Sequence, residues 1–400
     1  MPQLSATGGN RTLTQILNIS GDYPDPVGAR KTTVVRRLID LTRDHFDHQV
    51  ISLNRADPGA LDAAVKPLIG SKLEVEILPT DEGAALTYYA PGKGIWHRRN
   101  LRMLGETIAG LHGDDPPRLI IAWKLTIEGI AAAETAQRLN VPYLLVIQGN
   151  TDAKILNARP DLRGHFSRIF HGARVVVSFA PWSLAFCEAK LGTREGPSFV
   201  IPCPTDLDRP QKSSAPGDGM VSLFHLDNYR DKNIHGLVGA MRVLRERGID
   251  DRLDVIGGGS AASLAHCQRL SAGIADVRFS GALGREEVSE RLNRGSVMVL
   301  PSTRESFGLA FIEALFAGIP IVYPANRAIA GYFDGYDFAR AVDPGRPHDI
   351  ADAVQDVLQN EASLKRSIAD WQHSEHARQF MRPAIAQRFT DAINTALGVQ

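Results

Sequence analysis

One feature restricts the fold more than any other. Short apolar runs of strand length alternate with longer segments of helical period, and the pattern runs through the chain twice with one break. The first series predicts strands over Leu13 to Ser20, Gln49 to Leu53, Val75 to Leu78, Leu119 to Trp123, Tyr143 to Ile147, Val175 to Ser178 and Phe199 to Pro202. Helices are predicted over Lys31 to Phe46, Ile95 to Leu111 and Ile127 to Leu139. The second series predicts strands over Met220 to Leu226, Leu253 to Ile256, Val277 to Phe279, Val297 to Leu300 and Ile319 to Tyr323. Its helices are Ile234 to Arg247, Arg285 to Asn293 and Gly308 to Ala317. Such alternation gives parallel sheets with helices on both faces. Between Pro202 and Gly219 the chain is rich in Pro, Ser, Asp and Gly, the composition of a linker.

The chain has 400 residues, too many for one ordinary core, and two α/β domains are expected. A hydrophobic share of 44% is globular. Lys plus Arg and Asp plus Glu both number 45, so bulk charge does not point to nucleic acid. Cys187, Cys203 and Cys267 have the spacing of neither a zinc site nor a disulfide framework, which fits a reducing cytosol. Met1 to Gln15 is polar and lacks the apolar centre of a signal peptide. No apolar run is long enough to span a bilayer, so any membrane role is one of surface contact.

The densest segment is LPSTRESFGLAFIEALFAGIPIVYP, residues 300–324. A buried strand leads into a loop with Glu305; a helix then begins near Gly308 and stops at Gly318, with Pro320 beyond. The helix start supplies free N–H groups and a positive dipole end, a seat for phosphate. Glu305 and Glu313 beside it are able to accept hydrogen bonds from sugar hydroxyls. The plainer alternative makes Glu305 a solvated loop residue and Glu313 a helix-surface charge. Against it, Glu313 lies in a mostly apolar helix, where an unpaired carboxylate is costly to bury.

This segment resembles the family 4 glycosyltransferases of the GT-B fold, whose signature sets two glutamates in the pattern P-S-x-x-E-S-F-G-L-x-x-x-E-A-L-x-x-G-x-P. The chain supplies Pro301, Ser302, Glu305, Ser306, Phe307, Gly308, Leu309, Glu313, Ala314, Leu315, Gly318 and Pro320. The resemblance implies two Rossmann-like domains facing across a cleft: residues 1–205 on the acceptor side, 206–380 for the donor. The last helical segment, within 381–400, is expected to pack back on the first domain. It implies a retaining, metal-independent hexosyl transfer from a nucleotide-diphosphate sugar to a saccharide or lipid-linked saccharide, in cell-surface polysaccharide or glycoconjugate synthesis. The nucleotide sugar is a substrate, and no cofactor is implied. Glu313 would hold the ribose, Glu305 would lie near the donor sugar, and backbone at Phe307, Gly308 and Leu309, with Ser306, would meet phosphate or sugar.

Other segments keep the family's order. LDVIGGGSA, residues 253–261, is a poor dinucleotide fingerprint but fits the glycine turn of the family's second domain. VRFSG, residues 277–281, resembles the strand end whose backbone reads the base, at Phe279. HLDNYRDKNIHGLVGAM, residues 225–241, resembles the segment carrying the diphosphate cations, here Arg230 and Lys232. Fixed cations there stabilise charge that grows as the glycosidic bond breaks. With Glu305, Lys232 is the catalytic candidate. Where members often carry an arginine, five residues before the lysine, this chain has Asp227. In the first domain, Gly28 matches one glycine of a loop that faces donor phosphate and acceptor. Where many members have a histidine, Gln148 to Asp152 stand instead. Gln148 hydrogen-bonds but cannot shuttle protons, and Asp152 is either an acceptor-side contact or a cap.

Residues 88–104 join Lys93, Arg98, Arg99 and Arg102 to Tyr88, Tyr89 and Trp96 with no acidic residue between Lys93 and Glu106. Arg98, Arg99 and Arg102 share a helix face by their spacing. The expectation is a cytoplasmic protein with peripheral contact to the anionic inner membrane face. An ordinary amphipathic helix with a solvated basic face, or an acceptor-phosphate site, accounts for the same residues. Rival readings for the whole chain are a nicotinamide oxidoreductase, weakened by the missing early glycine fingerprint, a GT-B epimerase or phosphorylase, and a non-catalytic sugar-nucleotide-binding protein.

Overall fold

Fourteen strands build two sheets in the computed structural model, which describes residues 13–28, 31–57, 73–91, 95–113, 115–274 and 276–399. The first sheet contains β1 (Thr14–Ser20), β2 (Phe46–Ala56), β3 (Val75–Thr80), β4 (Gly83–Tyr89), β5 (Leu119–Ala122), β6 (Tyr143–Ile147), β7 (Val175–Ser178) and β8 (Ser198–Val200). Its order is β3-β4-β2-β1-β5-β6-β7-β8, and every pairing is parallel except β3 with β4. The second contains β9 (Met220–Leu223), β10 (Leu253–Ile256), β11 (Val277–Gly281), β12 (Val297–Val299), β13 (Ile321–Pro324) and β14 (Ala339–Val342), ordered β11-β10-β9-β12-β13-β14 and wholly parallel. That is the doubly wound order in which the first strand starts the middle of the sheet.

Central strands are buried on both faces, which is why they read as continuous apolar runs: LIIA of β5 and VVVS of β7 are buried throughout. Apart from the antiparallel β3–β4 edge of the first sheet, the order of the parallel strands reverses between β1 and β5 and between β9 and β12. Loops at the carboxyl ends of those strand pairs border the crevice where open sheets hold ligands.

The chain forms two compact units. One comprises everything up to Phe179, Ser183–Ile201 and Ala386–Gln400; the other comprises Ala180–Trp182 and Pro202–Ile385. The passage at Ile201 lies just before the boundary expected at 205. The final helix, Arg382–Leu397, gives its later turns to the first unit. There Phe389, Ile393 and Ala396 are fully buried, and Phe389 lies 5.8 Å from the Trp123 ring.

Several elements differ from the sequence expectation. The helix predicted from Lys31 to Phe46 is confined to Val34–Asp40, and Phe46 already opens β2. The Thr42 hydroxyl donates to the Ile39 carbonyl at 3.1 Å, a local bond that competes with continued helix. Strand β4, the edge strand β14 and the helices Asn150–Ala158, Arg163–Gly172, Pro181–Leu191, Ala261–Leu270 and Pro347–Gln372 had no counterpart in the alternation.

Candidate functional site

At the reversal point of the second sheet, the loops after β9 and β12 are tied together before any ligand arrives. Asn233 adopts a left-handed conformation (φ 60°) and caps the helix Ile234–Glu246 by accepting from Gly236 N–H at 3.1 Å. Its amide donates to the carbonyls of Pro301 at 3.0 Å and Pro344 at 2.7 Å. The Thr303 N–H donates to the Asp231 carbonyl at 2.8 Å. These bonds bring the two sequence candidates from separate loops into contact: Lys232 Nζ pairs with Glu305 Oε2, both side chains being mostly but not wholly buried.

Gly308 then starts the helix Leu309–Phe316 with φ +80°, a left-handed conformation that a side chain resists. A Cβ there would also stand 2.7 Å from the Phe311 ring. No side chain caps this helix start; within its first turn the Phe311 N–H donates to the Gly308 carbonyl at 3.0 Å. Phe307 anchors the turn, buried and edge-on to Tyr332 at 6.2 Å. Ser306 and Leu309, which flank it, are half-buried.

Glu313 is half-buried one turn on, and its Oε1 accepts from the Thr205 hydroxyl at 2.7 Å. This partner resolves the cost of burying a carboxylate in an apolar helix. Sequence reading missed Thr205; its setting in IPCPTDLD, among apolar and proline residues, was the available signal. Arg230 is exposed, with its guanidinium 5.5 Å over the Tyr229 ring and its Nε donating to the Tyr229 hydroxyl at 3.1 Å. Asp227 braces the neighbouring loop. It accepts from Ser260 N–H at 2.8 Å and Ser260 Oγ at 2.7 Å, which holds its carboxyl down at about 2. Gly257 must be glycine because a Cβ would lie 1.8 Å from the Phe224 carbonyl, so this glycine serves the close approach of two loops. Phe279 sits half-buried on the edge strand β11, opposite Val255.

The first unit's reversal point is differently occupied. Lys124, after β5, is buried with Asp22 at 2.6 Å and Glu128 at 3.4 Å. Burial works against its charged form, but Glu128 and Asp22 outweigh that and raise its pKa. Glu128 Oε1 also accepts from Gly21 N–H at 2.6 Å. Asp152 is fully buried; its Oδ1 accepts from the Thr126 N–H at 2.9 Å and hydroxyl at 2.8 Å, while burial raises its pKa. Gln148 donates to the Trp123 carbonyl at 2.7 Å. The Gly28 N–H donates to Asp25 Oδ1 at 2.6 Å, and Asp25 also receives Lys31 at 2.7 Å and Asn54 at 2.9 Å. Burial opposes that carboxylate's charge, yet these donors hold it far below the usual range.

Arg98, Arg99 and Arg102 lie in the first two turns of the helix His97–His112. Arg98 is exposed; Arg102 pairs with Glu134 at 2.8 Å, an acidic partner from the helix Glu128–Leu139 that local sequence did not reveal. Lys93 lies outside the described residues. Among the described residues no helix is long and apolar enough to cross a membrane.

Residues 208–372 match the family model of glycosyl transferases group 1. D-inositol 3-phosphate glycosyltransferase of Streptomyces coelicolor is 34% identical over 195 residues, covering 46% of this chain and 42% of that protein. The protein of the same description from Paenarthrobacter aurescens is 30% identical over 258 residues, covering 58% and 62%. The aligned part is thus less than two thirds of either relative. Sucrose-phosphate synthase from Thermosynechococcus elongatus superposes with a TM-score of 0.67 at 19% identity, over 95% of this chain and 98% of that one. That likeness is one of fold, and the fold is α/β of the GT-B class expected from the sequence.

Proposed function

We propose that this chain is a retaining glycosyltransferase whose second unit holds a nucleotide-diphosphate sugar at the reversal point of its sheet. The observation that carries the reading is the Lys232–Glu305 pair beside the uncapped helix that Gly308 begins. The match to group 1 glycosyl transferases covers these residues. In this reading the helix start and Lys232 receive the diphosphate, joined by Arg230 from the exposed loop. Glu305 orients Lys232 and faces the donor sugar; Glu313, steadied by Thr205, accepts from the ribose hydroxyls. As the glycosidic bond breaks, charge builds on the departing diphosphate, where fixed cations are most effective. Two such cations supply the role a divalent metal fills elsewhere, so transfer should proceed in chelator.

The test is release of nucleotide diphosphate from a panel of nucleotide sugars in the presence of chelator, with the anomeric configuration of the product read by NMR. Retention without added metal supports the reading; inversion, or strict dependence on one divalent ion, overturns its mechanism. The acceptor is proposed to be a saccharide, free or lipid-linked, of a cell-surface polysaccharide or glycoconjugate.

A second proposal concerns location. Ile95 and Trp96 are 53% and 47% exposed beside exposed Arg98, an apolar and cationic edge suited to an anionic leaflet. Cosedimentation with vesicles that contain anionic lipid, lost in an Arg98/Arg99/Arg102→Ala variant, is the expected result. Equal behaviour of the two proteins refutes it.

A further inference from the structure

The first unit has a cavity of about 400 Å³ at the carboxyl end of its sheet. Arg55 and Tyr88 reach it from the ends of β2 and β4, and His97 from the helix that follows β4. Ile127 comes from the segment after β5, Lys154 and Arg159 from the helix after β6 and its end. The lining is therefore drawn from both sides of the point where the strand order reverses, the place where sheets of this kind hold ligands. Three cations line it, and no carboxylate does among the described residues. The acids that pair with the two arginines, Asp57 at 2.5 Å and Asp161 at 2.7 Å, are largely exposed and stand outside the lining. Lys154 is exposed and makes no ion pair among the described residues.

The rest of the wall suits a sugar ring. Tyr88 and Ile127 offer apolar surface. His97 is half-buried, with Nε2 2.7 Å from the Thr126 carbonyl. A carbonyl only accepts, so Nε2 carries the proton and Nδ1 is left as an acceptor. Burial lowers the pKa of this imidazole, which keeps it in that neutral form. A wall combining cations, an apolar surface and one hydroxyl-acceptor suits a polar ring that bears negative charge.

We propose that this cavity binds the acceptor and selects a saccharide carrying an anionic group, phosphate or carboxylate, against its neutral counterpart. The inference rests on the transferase reading for the word acceptor, but the anion selectivity stands on the cavity alone. Arg55, Lys154 and Arg159 would receive the anion, and His97 Nδ1 a ring hydroxyl.

The experiment is calorimetric titration of the full chain, without donor, using glucose, glucose 6-phosphate, glucuronic acid and inorganic phosphate. At least one of the two charged sugars should bind about tenfold or more tighter than glucose, as charge-assisted hydrogen bonds require. Which of the two it is distinguishes phosphate from carboxylate, and inorganic phosphate should compete with it. Lys154→Ala and Arg159→Ala should each weaken it by about tenfold while leaving the melting profile in place. Lys154 is exposed, so its variant is a safe test of the charge even where Arg159→Ala perturbs the fold. Equal affinity for charged and neutral sugars, or unchanged binding in both variants, overturns the proposal. Because donor is absent, a failure to release nucleotide diphosphate would sink the transferase reading and leave this measurement to be judged separately.

Discussion

The two sheets reverse their strand order in the same way, yet the two reversal points are filled differently. In the first unit a lysine, two carboxylates and a backbone amide close on one another: Lys124 with Asp22 and Glu128, and Glu128 with Gly21. Glu128 is fully buried and Lys124 nearly so. In the second unit the corresponding pair, Lys232 with Glu305, keeps 20% and 12% of its side-chain surface open, beside a helix start that no side chain caps. Lys124 and Glu128 are buried partners that serve the fold, while Asp22 keeps 27% of its side-chain surface open. Lys232 and Glu305 keep a little open surface beside a helix start that no side chain caps, and in the proposed reading they exchange partners with the donor. The cavity lined by Arg55, Lys154 and Arg159 opens beside the Lys124 cluster and is where we place the first unit's proposed ligand.

Removing Lys124 is the severest way to test that contrast. Lys124→Ala leaves Glu128 buried without its cation, and breaking a buried pair costs about 3–5 kcal/mol. Denaturant unfolding should show the first unit losing stability on that scale. A loss below about 1 kcal/mol would mean the cluster is no more structural than a surface pair.

Acid should next separate the two units. His48 is buried in the first unit; its Nδ1 accepts from Asn18 at 3.1 Å and its Nε2 donates to the Thr42 hydroxyl at 2.9 Å, a neutral tautomer on both counts. Burial lowers its pKa to about 4 from the ordinary 6.5. The unfolded chain takes up a proton as pH falls below 6.5, whereas the folded chain resists until about 4. Stability is thus full above that window and is lost through it, by about 2–3 kcal/mol. His48→Asn should flatten the decline between pH 6.5 and 4; an unchanged slope would remove His48 from the account.

The smallest effect concerns Glu313. Glu313→Ala should weaken binding of a nucleoside diphosphate by about tenfold, the value of one charge-assisted hydrogen bond, with a lesser effect on turnover. If Thr205→Val reproduces part of that weakening, the hydroxyl steadies the carboxylate as its 2.7 Å contact suggests.

The same contrast explains what was legible in the sequence. The second unit's site lies on two contiguous stretches, 225–241 and 300–324, because each loop follows one strand and precedes one helix. Glu305, Gly308 and Glu313 therefore announce themselves by local spacing. The first unit's polar groups meet only through tertiary structure: Asp22 with Lys124, Arg102 with Glu134, Gly21 with Glu128, the last pair separated by 107 positions. No local window records such pairs. The sequence patterning also located β1, β5, β6 and β7; the last three are buried on both faces and read as apolar runs. It missed β4, whose GAALTYY offers small residues in place of a strong apolar run. It placed the helix Ile234–Glu246 to within one residue, because there an amphipathic period and the Asn233 cap agree.

Lys232→Ala, assayed for sugar transfer alongside calorimetric donor binding and thermal unfolding, tests the central claim most directly. If Lys232 meets charge that grows as the bond breaks, kcat falls by about 10²–10³, the scale of losing one fixed transition-state donor. Donor affinity then changes far less, and stability by less than about 1 kcal/mol. Wild-type turnover in that variant, with donor bound and transferred normally, would contradict the placement of the diphosphate at the second unit's reversal point.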